Sequence, residues 1–344
     1  MLSEQENKKV HSFLDEISQK VDPLILEIVQ GNVMPKFQKA VRYQLTTGGK
    51  RFRPALAIAT CHLLGGKIQD VIRPACGLEI FHNYTLIIDD IIDNGLFRRN
   101  KPTVWAKYGK AIADCIAMDY VVSIFQTTQK SPKSIEINKL FALTMKILVD
   151  GEILDILFER EGRKDEPFVV SKRPKTITFE KYLEMITKKT AVLLSACCEV
   201  GGITANANTK QISSLGQYGL NLGIAFQMQD DILDMFGEEK EFGKKIGKDI
   251  EERKGGNLVF MMAFKELSAK DRSRVAFIMG QAKITEPDKK EVLNLIRKTN
   301  ALSASQKMAK LYSEKAKKAL SNLPQNSWSQ LLANLADFVI ERKK

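Results

Sequence analysis

The sequence is short of residues that break helices. Its 344 residues include only 10 prolines and 21 glycines. That scarcity works against a many-stranded β fold and favours long helices. Metal-binding and disulfide chemistry is also thin: five cysteines, at 61, 76, 115, 197 and 198, and three histidines. No two cysteines form a CxxC pair and no histidine cluster accompanies them, which argues against a zinc site or disulfide framework and fits reduced thiols. No apolar run reaches the roughly 18 clean residues of a membrane span. The longest stretches, around 191–205 and 219–228, are interrupted by glycine or polar residues. The opening Met1-Leu-Ser-Glu-Gln-Glu lacks the basic-then-apolar pattern of a secretory signal. A cytoplasmic protein without a transmembrane segment is the expectation.

Apolar residues make up 44% of the chain, enough for a sizeable core. The formal net charge of +12 points to polyanionic partners, whether nucleic acid, membrane surface or phosphorylated small molecules. Scattered lysines such as Lys315, Lys317, Lys318, Lys343 and Lys344 read as a solvated face. Helical periodicity dominates. Helices are expected over Val10–Ile28 (with Phe13, Ile17, Val21 and Leu24 on one face), Met34–Leu45, Pro54–Leu64 and Asp70–Asn94, the last starting near Pro74. Further helices are expected over Ala111–Gln129, Ile135–Arg160, Phe179–Val200, Ile212–Phe236 and Leu258–Leu267, followed by three more. Gly95–Thr103, Glu161–Lys175 and Gly237–Gly256 read as polar loops. Neither a domain-dividing linker nor a solenoid repeat is evident, so residues 1–344 are expected to form one large all-α domain.

Two acidic motifs share one spacing. Asp89-Asp90-Ile91-Ile92-Asp93 and Asp230-Asp231-Ile232-Leu233-Asp234 each lie in an apolar helix, 141 residues apart. Carboxylates four apart face the same way on a helix. Burying them unpaired is costly, and a hard divalent cation such as Mg²⁺ would neutralise them. One DDxxD match is weak, whereas two on separate helices are hard to assign to coincidence. Gly48-Gly49-Lys50-Arg51-Phe52-Arg53-Pro54 places cations at a glycine turn before a helix, which suits a phosphate oxyanion. Without Walker spacing it does not indicate ordinary ATP binding. Phe97-Arg98-Arg99-Asn100-Lys101-Pro102-Thr103 adds an arginine pair suited to clamping phosphate. Lys188-Lys189-Thr190 and Lys244-Lys245-Ile246-Gly247-Lys248-Asp249 add cations that are equally open to reading as solvated charge.

GGKRFRP, DDIIDN with FRRNKPT, KKT and FQMQDDILD occur here in the order found in trans-isoprenyl diphosphate synthases, and the stretch from about Lys36 to Lys254 resembles short-chain members making farnesyl or geranylgeranyl diphosphate. The resemblance implies an all-α bundle of the isoprenoid synthase type around a deep central cavity, usually a homodimer. It implies condensation of isopentenyl diphosphate with an allylic diphosphate, without nucleic acid. About three Mg²⁺ ions would be held on the allylic diphosphate by Asp89, Asp93 and Asp230, with Asp90, Asp231 and Asp234 in the metal-binding set. Arg98, Lys189 and one of Lys244 and Lys245 would grip that diphosphate, Lys50, Arg53, His82 and Arg99 the other, and Lys254 belongs with the substrate-binding residues. Thr190 and Gln227 would stabilise the allylic cation.

The sequence departs from the family pattern in places. It reads Arg253-Lys254-Gly255-Gly256-Asn257-Leu258 where Gly-Lys-x-Thr-Leu-Pro is frequent, and Met118-Asp119 where Gly-Asp is usual. Tyr84 and Thr85 lie about one turn before Asp89, one bulky and one small, where members place a floor that limits product length. That pattern favours a C20 product, with C15 next. Glu79-x-x-His82 has di-iron spacing, yet neither His11 nor His62 completes a second such motif. A class I terpene cyclase would not need GGKRFRP. A basic nucleic-acid binder would leave both acidic motifs unexplained, and a non-catalytic partner subunit would typically have lost them.

Overall fold

The structure is a computed structural model describing residues 2–237, 246–281 and 283–342. Helix accounts for 77% of it, as the all-α expectation requires. The strands named among the described residues form one antiparallel pair, Phe97–Arg98 with Lys101–Pro102. The chain divides into two compact units of three stretches each. One comprises Met1–Thr144, Leu193–Gly219 and Ala316–Phe338, and the other Met145–Val192, Leu220–Lys315 and Val339–Lys344.

In the first unit, the helix Glu4–Gln30 opens on a capping box between Ser3 and Glu6. It buries Val10, Leu14, Ile17, Val21 and Ile25. Phe13 and Leu24, expected on that stripe, are half-buried at its edge. The expected helix over 34–45 is instead three short turns, Pro35–Phe37, Gln38–Val41 and Gln44–Thr47. Its buried apolar residues, Ala40, Val41 and Leu45, make too short a stripe to sustain more. The helix Ile68–Ile92 runs through Pro74 rather than starting there. It is apolar on most sides in its middle, as befits an element packed against both Phe52–Leu63 and Lys110–Gln126.

In the second unit, Phe179–Ile186 passes into a π-helical turn, Thr187–Ala191. The helix Leu258–Glu266 packs against Phe179–Ile186 and Glu286–Arg297. Tyr182, Met228, Ile250, Leu258 and Phe260 are buried in this unit's core. Along the chain, Leu258–Glu266 is followed by Ala269–Met279, Glu286–Arg297, Ala301–Ala319 and Ser327–Glu341, the last mostly in the first unit, one more described helix than expected.

Candidate active site

In the first unit, the first acidic motif ends the helix Ile68–Ile92, with Asp93 as its C-cap. Leu86 and Ile87 are buried, whereas Asp89 and Asp93 are half-exposed. Asp90 points the other way. It is buried and accepts both Arg98 Nε (3.0 and 2.9 Å) and Arg98 Nη2 (2.9 Å). The two residues are thus partners, and the expected metal carboxylate Asp90 orients the expected diphosphate ligand Arg98.

Arg98 and Arg99 come from an element the sequence did not announce. Arg99 (φ 52°) and Asn100 (φ 59°) form the two-residue link of a hairpin. Positive φ at both positions matches the twist of the flanking strands. The hairpin carries the Arg99 guanidinium onto the carbonyl of Gly48. Gly49 lies beneath at φ +140°, where an added Cβ would stand 2.8 Å from Arg51 Nη1 and 3.2 Å from Arg99 Nη1. Only glycine lets this backbone lie so close under two guanidiniums.

Arg51 is structural. It is buried, pairs with Asp22 and Glu79 (3.1 Å), and donates to the Leu45 carbonyl at 2.8 Å. Glu79 is therefore the partner of an arginine rather than half of a di-iron motif. Burial, and then the charges of Arg53, Arg99, Arg98 and Arg51, push the His82 imidazole well below its ordinary pKa. A neutral imidazole thus faces a group of cations, the setting an incoming diphosphate would relieve. Lys50, expected in this group, is exposed and lies 5.2 Å over the Phe338 ring. Tyr84 is half-buried beside Phe81, which in turn packs edge-on to Phe141. The Thr85 hydroxyl donates to the His82 carbonyl at 2.8 Å. Met118 projects into solvent, so the glycine usual there is not required for packing, and Asp119 beside it is half-buried.

In the second unit, the acidic motif splits by burial. Asp231 is buried and accepts Tyr182 Oη (2.8 Å), the Leu258 N–H (2.8 Å) and Gln227 Nε2 (3.1 Å). Asp234 is buried and accepts the N–H groups of Lys248 (3.0 Å) and Asp249 (3.2 Å) at the start of the turn Lys248–Glu251. Burial, then the Asp249 carboxylate, pushes both carboxyls well above the usual range. These two residues, expected among the metal ligands, anchor the segment that follows the motif instead. Asp230 is the half-exposed member and is paired with Arg342 at 2.7 Å.

Thr190 and Gln227 are brought together: the Thr190 hydroxyl donates to Gln227 Oε1 at 2.8 Å. Lys189 sits on the π turn, a distortion often found at functional positions. Its ammonium meets Glu152 and Asp155, each at 2.7 Å. Lys254 reaches the same Asp155 oxygen at 2.8 Å. Neither Glu152 nor Asp155 is among the residues expected from the sequence. The available signal was three acids, Asp150, Glu152 and Asp155, close together in a mainly apolar helical stretch, Val149-Asp150-Gly151-Glu152-Ile153-Leu154-Asp155. Lys244, and with it Lys245, lies outside the described residues.

Among the described residues, no three acidic, histidine or cysteine side chains converge on a ready-made cation cage. That suits Mg²⁺, which is typically bound by one or two carboxylates, with water and substrate phosphates completing the octahedron. Asp89, Asp93 and Asp230 fit such a role by exposure, and the guanidinium on Asp230 marks that carboxylate as a cation site.

Residues 34–296 match the family model for polyprenyl synthetase. The chain belongs to the polyprenyl synthetase family. This family member is 33% identical over 341 residues to the geranylgeranyl diphosphate synthase of Saccharolobus solfataricus, covering 96% of this chain and 98% of that protein. It also superposes on a polyprenyl synthase from Caulobacter crescentus CB15, solved with calcium and isoprenyl diphosphate, with a TM-score of 0.88 and 28% identity over 98% of both chains. Geranylgeranyl pyrophosphate synthetase from Pyrococcus horikoshii Ot3 gives a TM-score of 0.85 and 31% identity over 97% of this chain and 99% of that one. The fold is the all-α isoprenoid synthase fold, and the protein is a transferase of the trans-prenyltransferase type.

Proposed function

We propose that this prenyltransferase condenses isopentenyl diphosphate head to tail with an allylic diphosphate. Geranylgeranyl diphosphate is the product we favour, with farnesyl diphosphate as the alternative. The observation that carries the reading is the separate provision for two diphosphates. One is the group of guanidiniums around the neutral His82. The other is the pair of lysines joined at Asp155. A terpene cyclase, which ionises a single diphosphate, would have no use for the first. Relatives named for geranylgeranyl products, at 33% and 31% identity, support the C20 choice.

In this reading Arg53, Arg99, His82 and Lys50 bind the diphosphate of isopentenyl diphosphate. Arg98, Lys189 and Lys254, with Lys244, hold the allylic diphosphate. Asp89, Asp93 and Asp230 bind Mg²⁺, which when present supplies Lewis-acid stabilisation of the leaving group. Oxygen lone pairs of Thr190 and Gln227 stabilise the allylic cation, a role their mutual hydrogen bond supports by fixing both side chains. The double bond of isopentenyl diphosphate attacks that cation, and the departed diphosphate accepts the proton lost afterwards. The apolar floor near Tyr84 excludes water and limits chain growth.

We further propose that residues 1–344 act as one synthase domain within a homodimer in the cytoplasm. Ile112, Met118 and Val122 expose apolar surface along Lys110–Gln126, which supports a partner there. No described helix is long and apolar enough to cross a membrane. The test is substitution of the carboxylates. Asp89→Asn and Asp230→Asn should each lower kcat by roughly 100-fold or more, with folding intact by circular dichroism. Activity retained in both would overturn the assignment.

A further inference from the structure

The two lysines assigned to the allylic diphosphate are not independent of each other. Lys189 and Lys254 are 65 positions apart in the sequence. Yet their ammonium groups stand 2.7 and 2.8 Å from one atom, Asp155 Oδ2. Like charges so close repel, and the repulsion grows as the surroundings become less polar. The arrangement persists because carboxylates surround it: Glu152 meets Lys189 at 2.7 Å and Glu159 lies 3.8 Å from Lys254. Glu152 and Asp155 lie three apart near the end of Ser134–Leu157, and Glu159 follows just beyond it, so one short acidic stretch serves both lysines.

The backbone is shaped to this meeting. Gly151 lets the π turn approach, for an added Cβ there would stand 2.2 Å from the Lys189 backbone nitrogen. Lys254 is fixed by a short antiparallel bridge with Glu159, flanked by Arg160 N–H to Arg253 O and Gly255 N–H to Phe158 O, both 3.0 Å. Asp155 itself is buried, and against the upward pull of burial the two ammonium groups hold its carboxyl below the usual range.

We propose that Asp155 is a positioning residue of this prenyltransferase: it gathers Lys189 and Lys254 at one oxygen and so presets the cationic clamp for the allylic diphosphate. The inference rests on the function proposed above. Removing the charge leaves two ammonium groups with no common anchor, and they separate. A clamp misplaced by an ångström loses much of its hold on a leaving group whose charge is developing.

The test compares wild type with Asp155→Asn and Asp155→Glu. In Asp155→Asn, kcat should fall and KM for the allylic diphosphate should rise, each by about 10-fold, while KM for isopentenyl diphosphate stays unchanged. Calorimetry with inorganic pyrophosphate and Mg²⁺ should give weaker binding by a similar factor, with partial recovery in Asp155→Glu. This binding measurement needs no turnover, so failure of wild type to condense substrates would count against the proposed function and not against the clamp. Tighter pyrophosphate binding in Asp155→Asn would mean that Asp155 competes with the ligand, and would overturn the proposal. A lower Tm with both KM values and kcat unchanged, or an equal rise in both KM values, would overturn it too. If Asp155→Asn does not fold, Glu152→Gln, which strips one carboxylate from Lys189 alone, should shift the allylic KM in the same direction by a smaller factor. No shift there would overturn the proposal as well.

Discussion

Arg342 donates to Asp230 Oδ1 at 2.7 Å while its guanidinium lies 3.7 Å from the centre of the Phe226 ring. It also donates to the carbonyls of Phe226 and Val339, both at 3.1 Å, and its own carbonyl accepts Gln229 Nε2. A side-chain cation therefore occupies the one carboxylate of the second motif that faces outward. On the proposed role of Asp230, a divalent ion and this guanidinium would compete for the same oxygen. The pair is partly exposed and worth about 1 kcal/mol or less, so Arg342→Ala should lower the Mg²⁺ concentration for half-maximal pyrophosphate binding by about two- to fivefold. A raised requirement would mean that Arg342 supports the ligand instead of competing with the metal.

His82 should leave a signature in stability. Its pKa is depressed in the folded protein, so below its ordinary value of about 6.5 the unfolded chain takes up a proton that the folded chain refuses. Stability is then lost as pH falls, by at most about 1.4 kcal/mol per pH unit from this group. His82→Gln should flatten the decline of Tm between pH 7.5 and 5.5 relative to wild type. Parallel curves would mean that the imidazole titrates normally.

The long elements were legible because their apolar stripes or runs are long: Val10 to Ile25 marks Glu4–Gln30 whichever residues sit at its edge. The short ones were not. Arg99-Asn100 carries no Asn-Gly signal, so the hairpin that aims both arginines stayed hidden. The π turn at Lys188-Lys189-Thr190 reads as ordinary helix, and its close packing on the backbone of Gly151, distant in sequence, is not visible in the local pattern. Both acidic motifs were found, yet which carboxylate faces outward was not readable. Asp89 and Asp90 differ by only about 100° around the helix. Arg98, from the hairpin, decides that Asp90 turns inward, and Tyr182 and Leu258 do the same for Asp231.

The cysteines test the proposed dimer. All five are free thiols, four buried and Cys115 exposed, in the same helical stripe as Ile112, Met118 and Val122. In a homodimer using that face, Cys115 should react with a thiol reagent much more slowly than an exposed thiol of a monomer, and should speed up on dilution. Prompt reaction of one thiol per chain at every concentration would place the interface elsewhere.

Tyr84 should set product length. It is half-buried beside the fully buried Phe81. Tyr84→Ala removes the bulk and should shift products to longer chains by one or more isoprene units, read by chromatography. An unchanged product distribution would remove Tyr84 from the floor.

The most direct test of the central claim is condensation itself. The purified protein would be given Mg²⁺ and labelled isopentenyl diphosphate with dimethylallyl, geranyl or farnesyl diphosphate in turn, and the products separated by length. Label is expected in prenyl diphosphates that end mainly at C20, with none formed when the metal is chelated. No incorporation with any primer would contradict it.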